Sequence, residues 1–270
     1  MPHRLRAAVR LAVALSVVVS TLAACPAGTP KPHPTGTPTA PPAADPFYSA
    51  PAHLGKLHHG ALIRSRRAVI SSNGISSLAA ARTILFASTD IHGRPIAASA
   101  TVLTPFHSWI GNGARPIIAL QPAYDSLGSQ CEPSYALQVN PMLEAATLNE
   151  LKQVLPIGAE IVIPDYEGPD ALFGIGDQAG RIVLDAIRAA EQTGLGGINQ
   201  ATKVTGFGYS GGGLATAWTA ELAPSYAPRL NFVGVAEGGV PADIKESLSL
   251  LDGGKYAVLA VMTLVAIDRA

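Results

Sequence analysis

The chain has 270 residues, 48% of them hydrophobic and 14% charged, a balance suited to one globular domain with a large core plus a non-globular leader. Lys+Arg and Asp+Glu both total 19, and no run of Lys or Arg forms a basic stripe, which excludes nucleic acid as a partner.

The first ten residues, MPHRLRAAVR, carry Arg4, Arg6 and Arg10 and no acid. LAVALSVVVSTLAA follows, uncharged but too short and alanine-rich for a spanning helix, so residues 1–24 are expected to be an export signal. The run Leu22, Ala23, Ala24, Cys25 resembles the lipobox of bacterial lipoproteins. That resemblance implies lipidation of Cys25, anchoring to a lipid membrane, and a cell-envelope location; cleavage and release gives a secreted protein instead. Residues 25–46, PAGTPKPHPTGTPTAPPAAD and its neighbours, hold almost no large apolar side chains and are expected to form a disordered Pro/Thr-rich linker. Residues 47–270 make up the expected folded domain. With Cys25 acylated, Cys131, the other of two cysteines, is left as a lone thiol.

Within that domain, RTILFASTDIHGRPIAASATVLT (82–104) reads as two β segments around the turn at Asp90–Pro95. RPIIALQPA (115–123) and GAEIVIPD (158–165) are short apolar runs bounded by Gly and Pro, as in buried parallel strands. Helical stretches lie at PMLEAATLNELKQVL and at DQAGRIVLDAIRAAEQ, where Val183, Ile187 and Ala190 share one stripe. KVTGFGYS is the next strand, GGGLATAWTAEL the next helix and LNFVGVAEGG the next strand. This alternation predicts an α/β fold with a mostly parallel sheet and helices packed on its faces. YAVLAVMTLVAI, about a dozen apolar residues, reads equally as a lid-type or a core helix.

GFGYSGGGLAT (206–216) sets Ser210 between Gly208 and Gly212, a G-x-S-x-G pattern on a strand-to-helix turn. A nucleophile elbow needs small neighbours at such a turn, and the following helix aims free N–H groups at a developing oxyanion. The alternative is a glycine-rich turn that binds phosphate or merely packs; no GxxxxGK[ST] pattern supports phosphate.

These residues carry a family likeness. QPAYDSLGSQCEPSY, IVIPDYEGPDALFGIGDQAGRIVLDAIRAA, GYSGGGLATAWTAELAPSYAP and NFVGVAEGGVPADI, in order along residues 47–270, resemble the microbial secretory lipase family, the lipase A type of α/β-hydrolase. The resemblance implies an α/β-hydrolase sheet with a helical cap beginning near the C-terminus. It also implies an exported serine carboxylic ester hydrolase of lipid catabolism, taking acylglycerols or other esters without metal or organic cofactor. In it Ser210 is the nucleophile, Gly211 gives an oxyanion N–H, and Asp125 lies on the loop completing the oxyanion hole. From the residues alone, an Asp after a strand, as Asp125 is, is most often a turn or helix-cap residue. Asp165 and Glu167 are expected to shape a loop, and Glu237 to sit in a turn.

The triad order in this fold is serine, acid, histidine, yet every histidine (3, 33, 53, 58, 59, 92, 107) precedes Ser210. Neither triad acid nor histidine is assigned in the chain: Asp243, Asp252 and Asp268 fall where the cap begins. The expectation is an N-terminal part of a longer hydrolase, which also accounts for a partnerless Cys131. A catalytically inactive lipid-binding surface lipoprotein and an acyltransferase of the same fold are the alternatives.

Overall fold

The computed structural model describes residues 40–70, 75–139 and 145–270. The expected signal, Cys25, His3, His33 and most of the linker lie outside the described residues. The linker's last residues are shaped: Pro42–Ala44 and Pro46–Tyr48 form 3-10 turns, and Pro42 is buried.

Seven strands make one sheet: β1 (Leu62–Ala68), β2 (Ala79–Thr89), β3 (Pro95–Pro105), β4 (Ile117–Gln121), β5 (Glu160–Pro164), β6 (Lys203–Tyr209) and β7 (Asn231–Gly238), in the order β1-β2-β3-β5-β4-β6-β7. β1, β2, β3 and β5 pair antiparallel in turn, whereas β5, β4, β6 and β7 run parallel. The expected hairpin is β2–β3, closed by Asp90, whose carboxylate accepts from the amides of His92 and Arg94. Sequence patterning missed β1, because its Arg64, Arg66 and Arg67 hide the strand period on an edge.

Helices cover both faces. In β4 and β5, Ile117, Ala119 and Val162 point to a core shared with Ile182, Val183, Ala186, Ile187 and Ala190 of α4 (Gly176–Thr193) and Ala215 of α5 (Gly211–Tyr226). Leu120, Ile161 and Ile163 point the other way, onto Leu137 of α2 (Pro133–Val139) and Leu148 and Leu151 of α3 (Ala145–Val154). Apolar residues at every position are what a strand buried on two faces requires. One turn, α1 (Ile75–Leu78), precedes β2.

After β7 come α6 (Ile244–Leu251) and α7 (Ala257–Arg269), which pack on each other. α7 buries only Thr263 and Ala266; it lies on the loop after β5, where Thr263 meets Gly174 and Arg269 donates to the carbonyls of Leu127 and Asp170. It is therefore no core helix: Val258, Val261, Leu264 and Ile267 stay exposed. No described helix is long and apolar enough to cross a membrane.

Two expectations are corrected. Cys131 is disulfide-bonded, not a lone thiol. Glu237 lies within β7 opposite Gly208, so the Gly238–Gly239 pair turns the chain after it, not at it.

Candidate active site

The parallel strands β4 and β6 run in register, Gln121 beside Gly208, so both end at one level of the sheet. The loop after β4 and the turn after β6 are thus delivered to the same place. At the end of β6, Ser210 adopts φ 56° and ψ −121°, a region rarely occupied by a residue with a side chain, and α5 begins at Gly211. The Ser210 N–H donates to the Gly238 carbonyl at 2.9 Å, and its own carbonyl accepts from Leu214 at 3.0 Å, so the strained residue is tied on both sides.

Close approach explains the glycines that matter most. A Cβ on Gly212 would collide with the Gln121 carbonyl, and one on Gly208 with Thr216 and the Gly212 carbonyl. The start of α5 therefore lies against the end of β4, where the buried Thr216 hydroxyl donates to Gln121 Oε1 at 2.7 Å. Ser210 itself is half-buried, at the rim of the sheet.

Asp125 reaches this turn from the β4 side. Its Oδ1 lies 2.5 Å from where a Gly211 Cβ would sit, with Phe173 on the other flank at 3.5 Å. Asp125 has φ 33°, a second strained backbone among few non-glycine residues with positive φ. Its Oδ1 is buried without a hydrogen-bond partner, and burial pushes the carboxyl up to about 6. An acid in that state donates rather than accepts a hydrogen bond over part of the acid-to-neutral range.

Further acids surround the loop. Asp165, at the end of β5, accepts from the Ser99 hydroxyl (2.5 Å) and the Ser134 amide (2.8 Å), and burial raises it to about 6. Glu167 accepts from the Ser126 amide and hydroxyl; burial first, then Asp125, holds it well above the usual carboxylate range. Glu132 is likewise raised, by burial and then by Asp165 and Glu167. Sequence reading marked Asp165 and Glu167 as loop-shaping residues; Glu132 carried no local signal, because only the tertiary fold buries it.

None of the described histidines bonds Ser210. His59 stacks on Tyr226 (5.5 Å) and shares a 3.0 Å contact with its hydroxyl, His92 meets the Ala270 carbonyl, and His107 meets the Pro156 carbonyl. His58 and His59 line a 390 Å³ cleft with Arg188 and Arg229, at the edge of the sheet where β6 and β7 begin, opposite the nucleophile turn. The strained serine and the helix N-terminus, not that cleft, mark the chemistry. Asp243 caps α6, accepting from the Glu246 amide at 2.9 Å, and Asp252 ends the same helix. Among the described residues no group of three or more His, Cys, Asp or Glu is arranged to hold a metal ion.

Comparison with known proteins bears on this geometry. The family model described as secretory lipase matches residues 135–270. A Mycobacterium tuberculosis protein named "Probable inactive lipase" is 36% identical over 231 residues, covering 84% of this chain and 52% of that one. A secreted triacylglycerol lipase of Malassezia restricta is 36% identical over 225 residues, 80% of this chain and 47% of its own. Candida antarctica lipase A in its closed state superposes with a TM-score of 0.78 at 31% identity, over 85% of this chain and 53% of that one. A rice cell wall degrading esterase from Xanthomonas oryzae, at 20% identity and a TM-score of 0.61, shares the fold. The chain spans about half the length of the curated relatives it matches.

Proposed function

The chain belongs to the secretory lipase family, and from that premise we propose that Ser210 is the nucleophile of an exported carboxylic ester hydrolase acting on acylglycerols. The observation that carries the proposal is the convergence of three features: a serine held at φ 56°, the first N–H groups of α5, and Asp125 against Gly211. In this reading the Ser210 oxygen attacks the ester carbonyl and its proton passes to a base. The carbonyl oxygen, now negative, is held by the Gly211 N–H and by Asp125, and the alcohol leaves protonated as the acyl-serine forms. Water then releases the carboxylic acid by the same steps.

A base is what the described residues do not bring to Ser210. Loss of a triad member costs roughly four or more orders of magnitude, so on its own this chain is expected to turn over slowly. A triad acid and histidine supplied from outside the described residues complete the machine. The second reading, a lipid-binding protein without turnover, is favoured by the absence of a described histidine bonded to Ser210 and by the name of the mycobacterial relative.

Export fits the Arg-led apolar leader and the relative named as secreted. Lipidation at Cys25 would tether the domain to a membrane. The thioether and acyl chains would add to the intact mass, which distinguishes the lipidated from the released form. The hydrolase reading is tested with a fluorophosphonate probe and p-nitrophenyl esters. Labelling confined to Ser210 and abolished by Ser210→Ala supports it; acyl-chain binding with no adduct leaves the non-catalytic reading instead.

A further inference from the structure

The strained Asp125 is flanked by two residues that are each pinned to one short segment, Asp165–Glu167. On its N-terminal side, the Tyr124 hydroxyl accepts from the Glu167 amide at 2.8 Å, and the Tyr124 and Tyr166 rings lie 4.8 Å apart. Two residues further back, the Pro122 carbonyl accepts from the Tyr166 hydroxyl at 2.7 Å. On its C-terminal side, the Glu167 carboxyl takes the Ser126 amide on both oxygens at 3.3 Å and the Ser126 hydroxyl at 3.0 Å. Glu167 is 2% exposed and has no cation partner among the described residues, so its buried carboxyl is satisfied largely by the loop it holds.

A non-glycine residue keeps φ 33° only when its surroundings over-determine it. The Ser126 amide that follows Asp125 and the Tyr124 side chain that precedes it are both held from a different strand end, which is that over-determination. We propose that Glu167, backed by Tyr166, is a positioning residue that holds the Asp125 loop against Gly211 and so sets the oxyanion side of the site. The proposal rests on the hydrolase reading for its chemical purpose, but the clamp itself is a statement about the loop. Glu167 touches no reacting atom; it acts through Ser126 and Asp125.

Amide hydrogen exchange on the full chain reads the clamp directly, with peptides over 122–128 as reporter and peptides of β4 and β5 as folding control. Glu167→Ala is expected to speed exchange of the reporter by about tenfold or more while the controls hold. Glu167→Gln, which keeps one acceptor oxygen, is expected to restore part of the protection. Unchanged reporter exchange in folded Glu167→Ala overturns the proposal. Should that variant not fold, Glu167→Gln decides alone: exchange at least about threefold faster supports the clamp, and no change overturns it. A parallel measurement of fluorophosphonate labelling separates the two readings. A slower maximal rate with an unchanged half-saturating probe concentration ties the clamp to oxyanion geometry. Labelling of the wild-type chain that persists undiminished in Ser210→Ala, with the exchange effect intact, sinks the hydrolase reading and leaves the clamp standing.

Discussion

β5 and β7 are both short apolar strands lying beside a parallel neighbour, yet they end in opposite environments. Ile161, Val162 and Ile163 of β5 are 0% exposed, covered by α4 on one face and by α2 and α3 on the other. Val233 and Val235 of β7 are 54% and 37% exposed, and the α6–α7 pair beyond it presents Leu250, Val261 and Leu264 to solvent. Burial is thus a property of what lies next to a strand, not of the strand's own composition. The nucleophile turn sits at the junction of the two regions. Its β4–β5 side holds Asp125 through a closed set of hydrogen bonds, while its β7 side contributes the Gly238 carbonyl to Ser210 and the close approach of Gly213 to that same carbonyl.

Three measurements test that contrast. The largest effect belongs to Ile163→Ala, which opens a cavity between β5 and α3 and is expected to cost about 2–5 kcal/mol in urea unfolding; a cost below about 1 kcal/mol would mean the centre of the sheet is as loosely covered as its end.

The pH dependence comes next, because the raised acids described here crowd into the buried region. Burial lifts Asp125 and Asp165 to about 6 and Glu160 to about 7. Where the folded pKa is the higher one, the folded chain keeps protons that the unfolded chain has released. Stability is therefore greatest below the unfolded carboxyl range, near about pH 4, and falls as pH rises through 6 to 7. For Asp165 the change over that window is on the order of 1–3 kcal/mol, and Asp165→Asn is expected to flatten the thermal-unfolding profile. A midpoint that climbs from pH 5 to 7.5 contradicts this.

The smallest effect is Val235→Ala, about 1 kcal/mol or less, since 37% of its surface stays in water on folding. A cost near that of Ile163→Ala would show that β7 is covered in solution, and would erase the contrast.

Much of this was legible from residues in a row. The hairpin, the alternation of strands and helices, and the turn around Ser210 follow from local pattern, because turn chemistry and hydrophobic period act between near neighbours. β1 was illegible because arginines on an edge strand mask its period, and the bonded state of Cys131 because pairing depends on distance in space. Asp125 showed the limit within the site itself. Its residue type fits any turn, and its positive φ and its unpartnered Oδ1 exist only once Pro122, Tyr124 and Ser126 are held from β5.

By itself the sequence determined the strand-turn-helix that strains Ser210 and the small residues that let it form. The tertiary structure alone decided that Gln121 and Gly208 share a register, which brings Asp125 beside Gly211 from a separate strand, and that Glu167 arrives from a third. The physical reason is that backbone geometry at a turn is fixed by neighbours along the chain. The meeting of loops, and the water they exclude from carboxyls, is fixed by how parallel strands align when their apolar faces are buried together.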